Sequence, residues 1–215
     1  MTKKEHNDRM NMKKPRRRSP PGSSSWWENI LQYDRQWTQR WGVCATKEST
    51  SGRLRPVMKG LEISGHGLPW FTILLAILYQ SYLSKNSVVF NPTANLVLGM
   101  LLDLLVSFIL KGTVRRPRPA LNKPDMLLTV SVDNYSFPSG HCTRAGFVFY
   151  FFVTTFTLPL LMQFLLLLWM SAVCISRVLL GRHYWSDVIC GTIIGLLQGL
   201  FIQRNWKTWD LTEDL

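Results

Sequence analysis

The chain is short of acid: Asp and Glu number 13 against 25 Lys and Arg over 215 residues, a formal net charge of +12. It is short of cysteine as well. Its four, Cys44, Cys142, Cys174 and Cys190, show no Cys-x-x-Cys spacing, and three lie in or beside apolar segments. Such a pattern offers neither a disulfide framework nor a zinc site, and the thiols read as inert small hydrophobes. A secretory signal is missing too, because the charged N-terminus runs into Ser and Trp without an apolar stretch and cleavage site. The scarcest commodity is polar surface. Five apolar spans within the second two-thirds of the chain leave no soluble face to cover them.

What is present is unevenly distributed. A hydrophobic content of 47% and a mean hydropathy of +0.04 average two unlike parts. Residues 1–60 are polar and basic, whereas 68–203 are largely apolar. The basic residues cluster beside apolar spans, which points to an anionic membrane surface and not to nucleic acid. The spans run over 68–84, 93–110, 146–159, 160–176 and 187–203. Each approaches the about 17–20 residues needed to cross a bilayer core, and their shortness fits the thinner membrane of the endoplasmic reticulum. The expected fold is an all-α transmembrane bundle of about five spans.

Four regions follow from this patterning. Residues 1–25, with eight Lys and Arg and then Pro-Pro-Gly-Ser-Ser-Ser, are expected to be a disordered tail drawn to anionic lipid. Residues 26–60 form an interfacial amphipathic segment: at 100° per residue, Trp26, Ile30, Tyr33, Trp37 and Trp41 share one stripe, suited to the headgroup level of a bilayer. A helix packed on its own protein is the alternative. Residues 61–205 make the membrane-embedded domain, and 206–215 a short C-terminal tail.

Three polar clusters interrupt the apolar sequence: "KGTVRRPRP" from Lys111 to Pro119, "PSGH" from Pro138 to His141, and "SRVLLGRHYWSD" from Ser176 to Asp187. Counting crossings places all three on one face of the membrane. Lys111, Arg118 and Arg177 supply fixed positive charge, and a guanidinium fork matches phosphate oxygens. "SFPSGH" reads as a helix start, with Ser139 near the N-cap and Gly140 permitting close backbone approach; the positive end of that helix favours a bound phosphate. His183 and Asp187, four residues apart, are expected to share a helix face, with Asp187 taking the Nδ1 proton and leaving Nε2 as nucleophile. His141 is then the general acid for the leaving oxygen. The same spacing suits a metal pair, but no third ligand stands out beyond His141 and Cys142. Arg115 and Arg116 read as topology signals. Asp103, inside the second span, is either functional or paired with a basic residue of the bundle.

Together the clusters resemble the signature of the type-2 phosphatidic acid phosphatase (lipid phosphate phosphatase) superfamily: K-x6-RP, PSGH, then SR-x5-H-x3-D, each matched in order over residues 60–205. "LRPVMKGLEISGHGLPW" and "VRRPRPALN" further resemble its polyisoprenoid diphosphate (presqualene diphosphate) phosphatase branch. The resemblance implies a helical membrane bundle and a phosphohistidine on His183, oriented by Asp187, with His141 protonating the leaving group. It makes Lys111, Arg118, Ser139, Gly140 and Arg177 the phosphate-binding set and implies no metal and no cofactor. The superfamily usually has six spans; five are counted here.

The expected activity is hydrolysis of lipid phosphates or diphosphates such as farnesyl, geranylgeranyl or presqualene diphosphate. A phosphatidic or lysophosphatidic acid phosphatase, a non-catalytic scaffold of the same fold and a transporter are the competing readings. Intact His141, His183 and Asp187 weigh against the scaffold, and polar groups gathered at one face weigh against the transporter. The positive charges before the first span place the site on the cytosolic side, in the endoplasmic reticulum and nuclear envelope. The partners expected are the lipid substrate and anionic membrane lipids, with no nucleic acid.

Overall fold

The structure, a computed structural model, describes residues 26–123, 125 and 134–211. The tail 1–25 and residues 212–215 lie outside the described residues, so the disorder expected of the tail is not addressed. Residues Tyr33–Leu215 form one compact unit. Among the described residues there are seven α-helices and no strand.

The first helix, α1, spans Trp26–Trp41, the bounds its aromatic periodicity predicts. Trp26, Ile30, Tyr33, Trp37 and Trp41 are all between 44% and 71% exposed, whereas Thr38 on the other side is buried. From Tyr33 on the aromatic side chains stay largely exposed, and the helix meets its neighbours through Asp34, Thr38 and the edge of Trp41. A 3-10 turn, Gly52–Leu54, leads into α2, Arg55–Ser64. Gly65 and His66 join α2 to α3, Gly67–Leu83, at a bend of 42°.

Four further helices complete the bundle: α4, Ser87–Val114; α5, Gly140–Thr155; α6, Leu160–Leu179; and α7, Trp185–Arg204. Each starts and stops for a local reason. The Asn86 side chain accepts the Val89 N–H at the start of α4, and Arg115 closes that helix in the left-handed region at φ 48°.

Three of the five expected spans match these helices to within three residues; α4 extends beyond the expected 93–110 at both ends, and the third span is displaced. It is expected over 146–159 and occupies Gly140–Thr155. Phe156 is extended and Leu158 precedes Pro159, a position that disfavours helix, so the chain turns to α6 before the apolar run ends. The span count also shifts. On their own α4, α6 and α7 are long and apolar enough to cross a membrane, and the bent α2–α3 pair makes a fourth. Shorter at 16 residues, α5 lies along α7 with Ser139 beside Gly191 and Tyr150 beside Gly199, but it presents little outer face. It is instead walled in by the bundle: Phe147, Val148 and Phe151 are fully buried and pack with Leu74, Leu96, Met100 and Ile202.

The tightest helix contact is α5 on α7. Gly191, Gly195 and Gly199 stand four apart on α7 and form one row of small residues, the spacing that lets membrane helices approach to backbone contact. A Cβ on Gly191 would lie 2.9 Å from the Ser139 carbonyl oxygen; one on Gly195 would collide with the Thr143 carbonyl, and one on Gly199 with the Tyr150 ring. From the opposite side, a Cβ on Gly146 would lie 2.8 Å from the Thr192 carbonyl oxygen. Substituting Gly195→Val should lower stability by about 1–3 kcal/mol through overpacking, read as a fall in the thermal midpoint in detergent. Gly60→Ala, where a Cβ meets open space, should be neutral or stabilising by about 0.5–1 kcal/mol.

Candidate active site

The three polar clusters meet at one end of the bundle. Lys111 is buried in the last turn of α4. One turn earlier, the Ser107 hydroxyl lies 3.4 Å from Thr143 Oγ1, which sets the end of α4 against the start of α5. After α4 the chain runs beside the segment that precedes "PSGH". Pro117 and Tyr135 form an antiparallel bridge, and the Ser136 N–H donates to the Arg116 carbonyl at 2.8 Å.

Ser139 occupies the N-cap of α5, as its sequence context predicts, yet its hydroxyl makes no capping bond. That Oγ is buried and has no hydrogen-bond partner among the described residues; the same holds for His141 Nε2. Polar atoms buried without a partner are costly in a folded protein and mark places where a ligand atom belongs. The Ser139 N–H donates to the Asp187 carbonyl at 3.3 Å, joining the second cluster to the third.

The third cluster follows α6. Arg177 is fully buried and pairs with Glu62 of α2 at 3.1 Å. Gly181, at φ +67°, reverses the chain, and the Arg182 and His183 N–H groups both return to the Arg177 carbonyl. This puts His183 ahead of α7 and not on it. The shared helix face expected of His183 and Asp187 is therefore replaced by a capping arrangement: Asp187, in the first turn of α7, accepts the Tyr184 N–H at 2.9 Å. Asp187 Oδ2 is 3.8 Å from His183 Nδ1, too far for a hydrogen bond. The Nδ1 proton goes instead to the Ser136 carbonyl oxygen at 2.7 Å. The consequence for the ring is the one expected from Asp187, because a donor Nδ1 fixes the tautomer whose Nε2 carries the lone pair.

The electrostatic setting is strongly positive. Burial depresses the His183 pKa to about 3; Asp187 opposes this, while the charges of Arg118 and Arg177 add to it. His141 has Arg177, Arg144, His183 and His66 as charged or ionisable neighbours, and the His66 ring centroid is 5.8 Å away. Among the described residues no three His, Cys, Asp or Glu side chains gather as a metal site requires. Asp103 is resolved as a bundle pair: Arg144 donates to it at 2.9 Å and to the Gly65 carbonyl at 3.1 Å.

With this geometry in hand, a family model described as PAP2 superfamily matches residues 92–210, more than half of the chain. The chain belongs to the PAP2 superfamily. It is 34% identical over 169 residues to a probable lipid phosphate phosphatase beta of Arabidopsis thaliana, covering 67% of this chain and 76% of that one. It is 36% identical over 105 residues to phosphatidylglycerophosphatase B of Bacillus subtilis, covering 44% of this chain and 48% of the relative. Its fold is similar to the crystal structure of a PAP2-type phosphatidylglycerolphosphate phosphatase from Bacillus subtilis, with a TM-score of 0.63 over 82% of this chain and 86% of that one at 24% identity.

The structure also gathers residues that sequence reasoning passed over in this PAP2 chain. Arg116, read as a topology signal, donates to Asp187 at 2.7 Å. Ser136 and Glu62, given no role from sequence, act through a backbone carbonyl and a buried ion pair. The depressed His183 pKa has a measurable consequence. Unfolding releases His183 to an ordinary value near 6.5, so between about pH 6.5 and 3 the unfolded chain binds a proton that the folded chain does not. Stability contributed by neutral His183 is present above pH 6.5 and is lost as pH falls through that window. Thermal midpoints in detergent should drop from pH 7 to pH 5, and less so in His183→Asn, which cannot titrate.

Proposed function

We propose that the chain is an integral membrane phosphohydrolase that removes phosphate from lipid phosphates and diphosphates through a phosphohistidine, with polyisoprenoid diphosphates as its substrates. The observation that carries this is the fixed tautomer of buried His183, whose Nδ1 is engaged by the Ser136 carbonyl and whose Nε2 is left as the ring's nucleophilic atom. The names of the relatives support the lipid phosphate class, and "LRPVMKGLEISGHGLPW" supports the isoprenoid branch.

In the proposed cycle Nε2 attacks the terminal phosphorus and the bridging P–O bond breaks. The leaving oxygen takes a proton from His141, and an N–P bond to His183 forms. Water then attacks this phosphohistidine, His141 accepts its proton, the N–P bond breaks, and inorganic phosphate departs. Lys111, Arg118 and Arg177, with the Ser139 hydroxyl and the backbone at Gly140, bind the phosphoryl oxygens as charge develops on them. These cations take the place of a divalent metal, so turnover should persist in excess EDTA.

His183→Ala should abolish both turnover and covalent phosphate labelling. His141→Ala should slow release by about 10²–10⁴-fold, least for acidic leaving groups such as a nitrophenol. Labelled phosphohistidine in His183→Ala would remove the nucleophile assignment. The substrate class is tested in mixed micelles, where farnesyl, geranylgeranyl and presqualene diphosphates should be turned over faster than phosphatidic acid.

We also place the site on the cytosolic face of the endoplasmic reticulum and nuclear envelope, with the basic tail held by anionic lipid. Asp34 of α1 pairs with Arg116 beside the site, whereas the Lys207 and Trp209 N–H groups bond to Asn95 and Asn91 at the far end of α4. The basic N-terminal segment thus supports a cytosolic site through the positive-inside rule. Glycosylation tags test this: one after Leu215 should carry sugar, and one near Lys123 should not.

A further inference from the structure

Arg116 has three side-chain acceptors beside the reacting histidine, and the catalytic cycle above does not use it. Its guanidinium donates to Asp187 Oδ1 at 2.7 Å, to Ser186 Oγ at 2.6 Å and to Asp34 Oδ2 at 2.7 Å. It also lies 3.9 Å over the Tyr184 ring. Its side chain is only 13% exposed. The backbone of the same residue reaches His183 by a second route. The Arg116 carbonyl accepts the Ser136 N–H at 2.8 Å, and the Ser136 carbonyl accepts the His183 Nδ1 proton at 2.7 Å. One residue therefore touches both halves of the His183–Asp187 pair, the carboxylate through its side chain and the imidazole through Ser136.

Asp34 completes this clamp from α1. Its carboxylate accepts from Arg116, from the Ser186 N–H at 3.3 Å and from the Ser186 hydroxyl. Trp185 adds two contacts to the same helix: its backbone N–H donates to Thr38 Oγ1 at 3.3 Å, and its ring meets Trp41 edge-on at 5.6 Å. This helix is thus fastened through Asp34, Thr38 and Trp41 to the first turn of α7, where Asp187 sits. Arg116 spends its donors on carboxylates and a hydroxyl, so its charge serves the protein and not the phosphate.

We infer that Arg116 is a positioning residue for the His183–Asp187 pair, and that Asp34 makes α1 part of the same catalytic scaffold. This rests on the phosphohistidine reading of the site. A guanidinium is needed because three acceptors lie in different directions; a lysine ammonium retains the charge but not the planar fork.

The test uses the full chain in mixed micelles, with kcat expressed per active site from burst labelling of His183. Arg116→Gln should lower kcat by about 10²-fold, the effect of misplacing a reacting group by about 1 Å, with KM unchanged within about twofold. Arg116→Lys should recover part of that loss. Asp34→Asn should lower kcat by about tenfold, the cost of one charge-assisted hydrogen bond. The Asp34→Asn, Arg116→Gln double variant should be no slower than Arg116→Gln alone, because partners in one network are not additive. A raised KM with kcat intact would make Arg116 a phosphate ligand and overturn the proposal. So would wild-type kcat per labelled site in a poorly folding Arg116→Gln, which would leave it a stability residue only. Should the wild-type chain release no phosphate from any lipid, the functional reading fails, and the positioning claim is decided separately by 15N shifts of labelled histidine. Those shifts should report an Nδ1–H tautomer at His183 and should move in Arg116→Gln as Asp187 loses its partner; shifts identical to wild type overturn it.

Discussion

The site depends on the backbone contact between α5 and α7. Lipid offers no hydrophobic drive for helix association, so two membrane helices hold together through close packing and polar contacts. The row Gly191, Gly195 and Gly199 lets α7 settle against the backbone at Ser139 and Thr143 and against the Tyr150 ring. That contact brings the start of α5, with Ser139 and His141, against the start of α7, with Asp187. The Ser139 N–H to Asp187 carbonyl bond is a direct result. A side chain anywhere in this row would move the two helix starts apart and, with them, the unpartnered Ser139 hydroxyl and the His183 imidazole.

A second constraint is charge balance inside the bundle. Arg177 and Arg182 are fully buried, and such cations persist only with partners, since a buried charge left unpaired costs several kcal/mol. Glu62 answers both, at 3.1 Å and 3.3 Å. Asp125 pairs with Arg182, Arg55 and Lys59. Desolvation works against the charged form of Asp125, but hydrogen bonds from Lys59, Arg55 and Arg182 outweigh it and hold the carboxyl well below the usual carboxylate range. Asp103 and Arg144 repeat the pattern between α4 and α5. The acids are few, yet these three are spent where a cation would otherwise be buried alone.

This division of labour explains what was legible in the sequence. Aromatic periodicity marks α1, and apolar runs mark three of the spans closely and the middle of α4, because lipid-facing helices must be apolar along their whole length. The apolar run misplaced α5, whose first turns carry Ser139, His141, Thr143 and Arg144, because a helix enclosed by others need not be apolar to lipid. The motif residues could be read because their types and spacing are distinctive. Arg116, Glu62 and Ser136 could not, since a positive-inside arginine and a structural one look alike in sequence. A carbonyl that orients a histidine leaves no side-chain trace at all. The glycine row was visible at its spacing of four, yet only a packed partner gives such spacing meaning.

The position of the site also decides where selectivity can arise. The outer faces of α4 and α6 expose Leu101, Leu105 and Phe108, and Leu161, Leu165 and Leu168. A lipid tail passing from the bilayer onto such a face exchanges one hydrocarbon contact for another. It forgoes the about 0.8 kcal/mol per CH₂ that transfer from water would supply. Tail length then contributes little that differs between bound substrate and transition state, and only differential binding accelerates chemistry. In the proposed cycle discrimination falls on the phosphate end, among Lys111, Arg118 and Arg177. There each buried acid tunes the field: Glu62 offsets part of the Arg177 charge, and Asp34 and Asp187 absorb that of Arg116. The number of phosphate charges the proposed site accepts is thus set as much by its acids as by its cations.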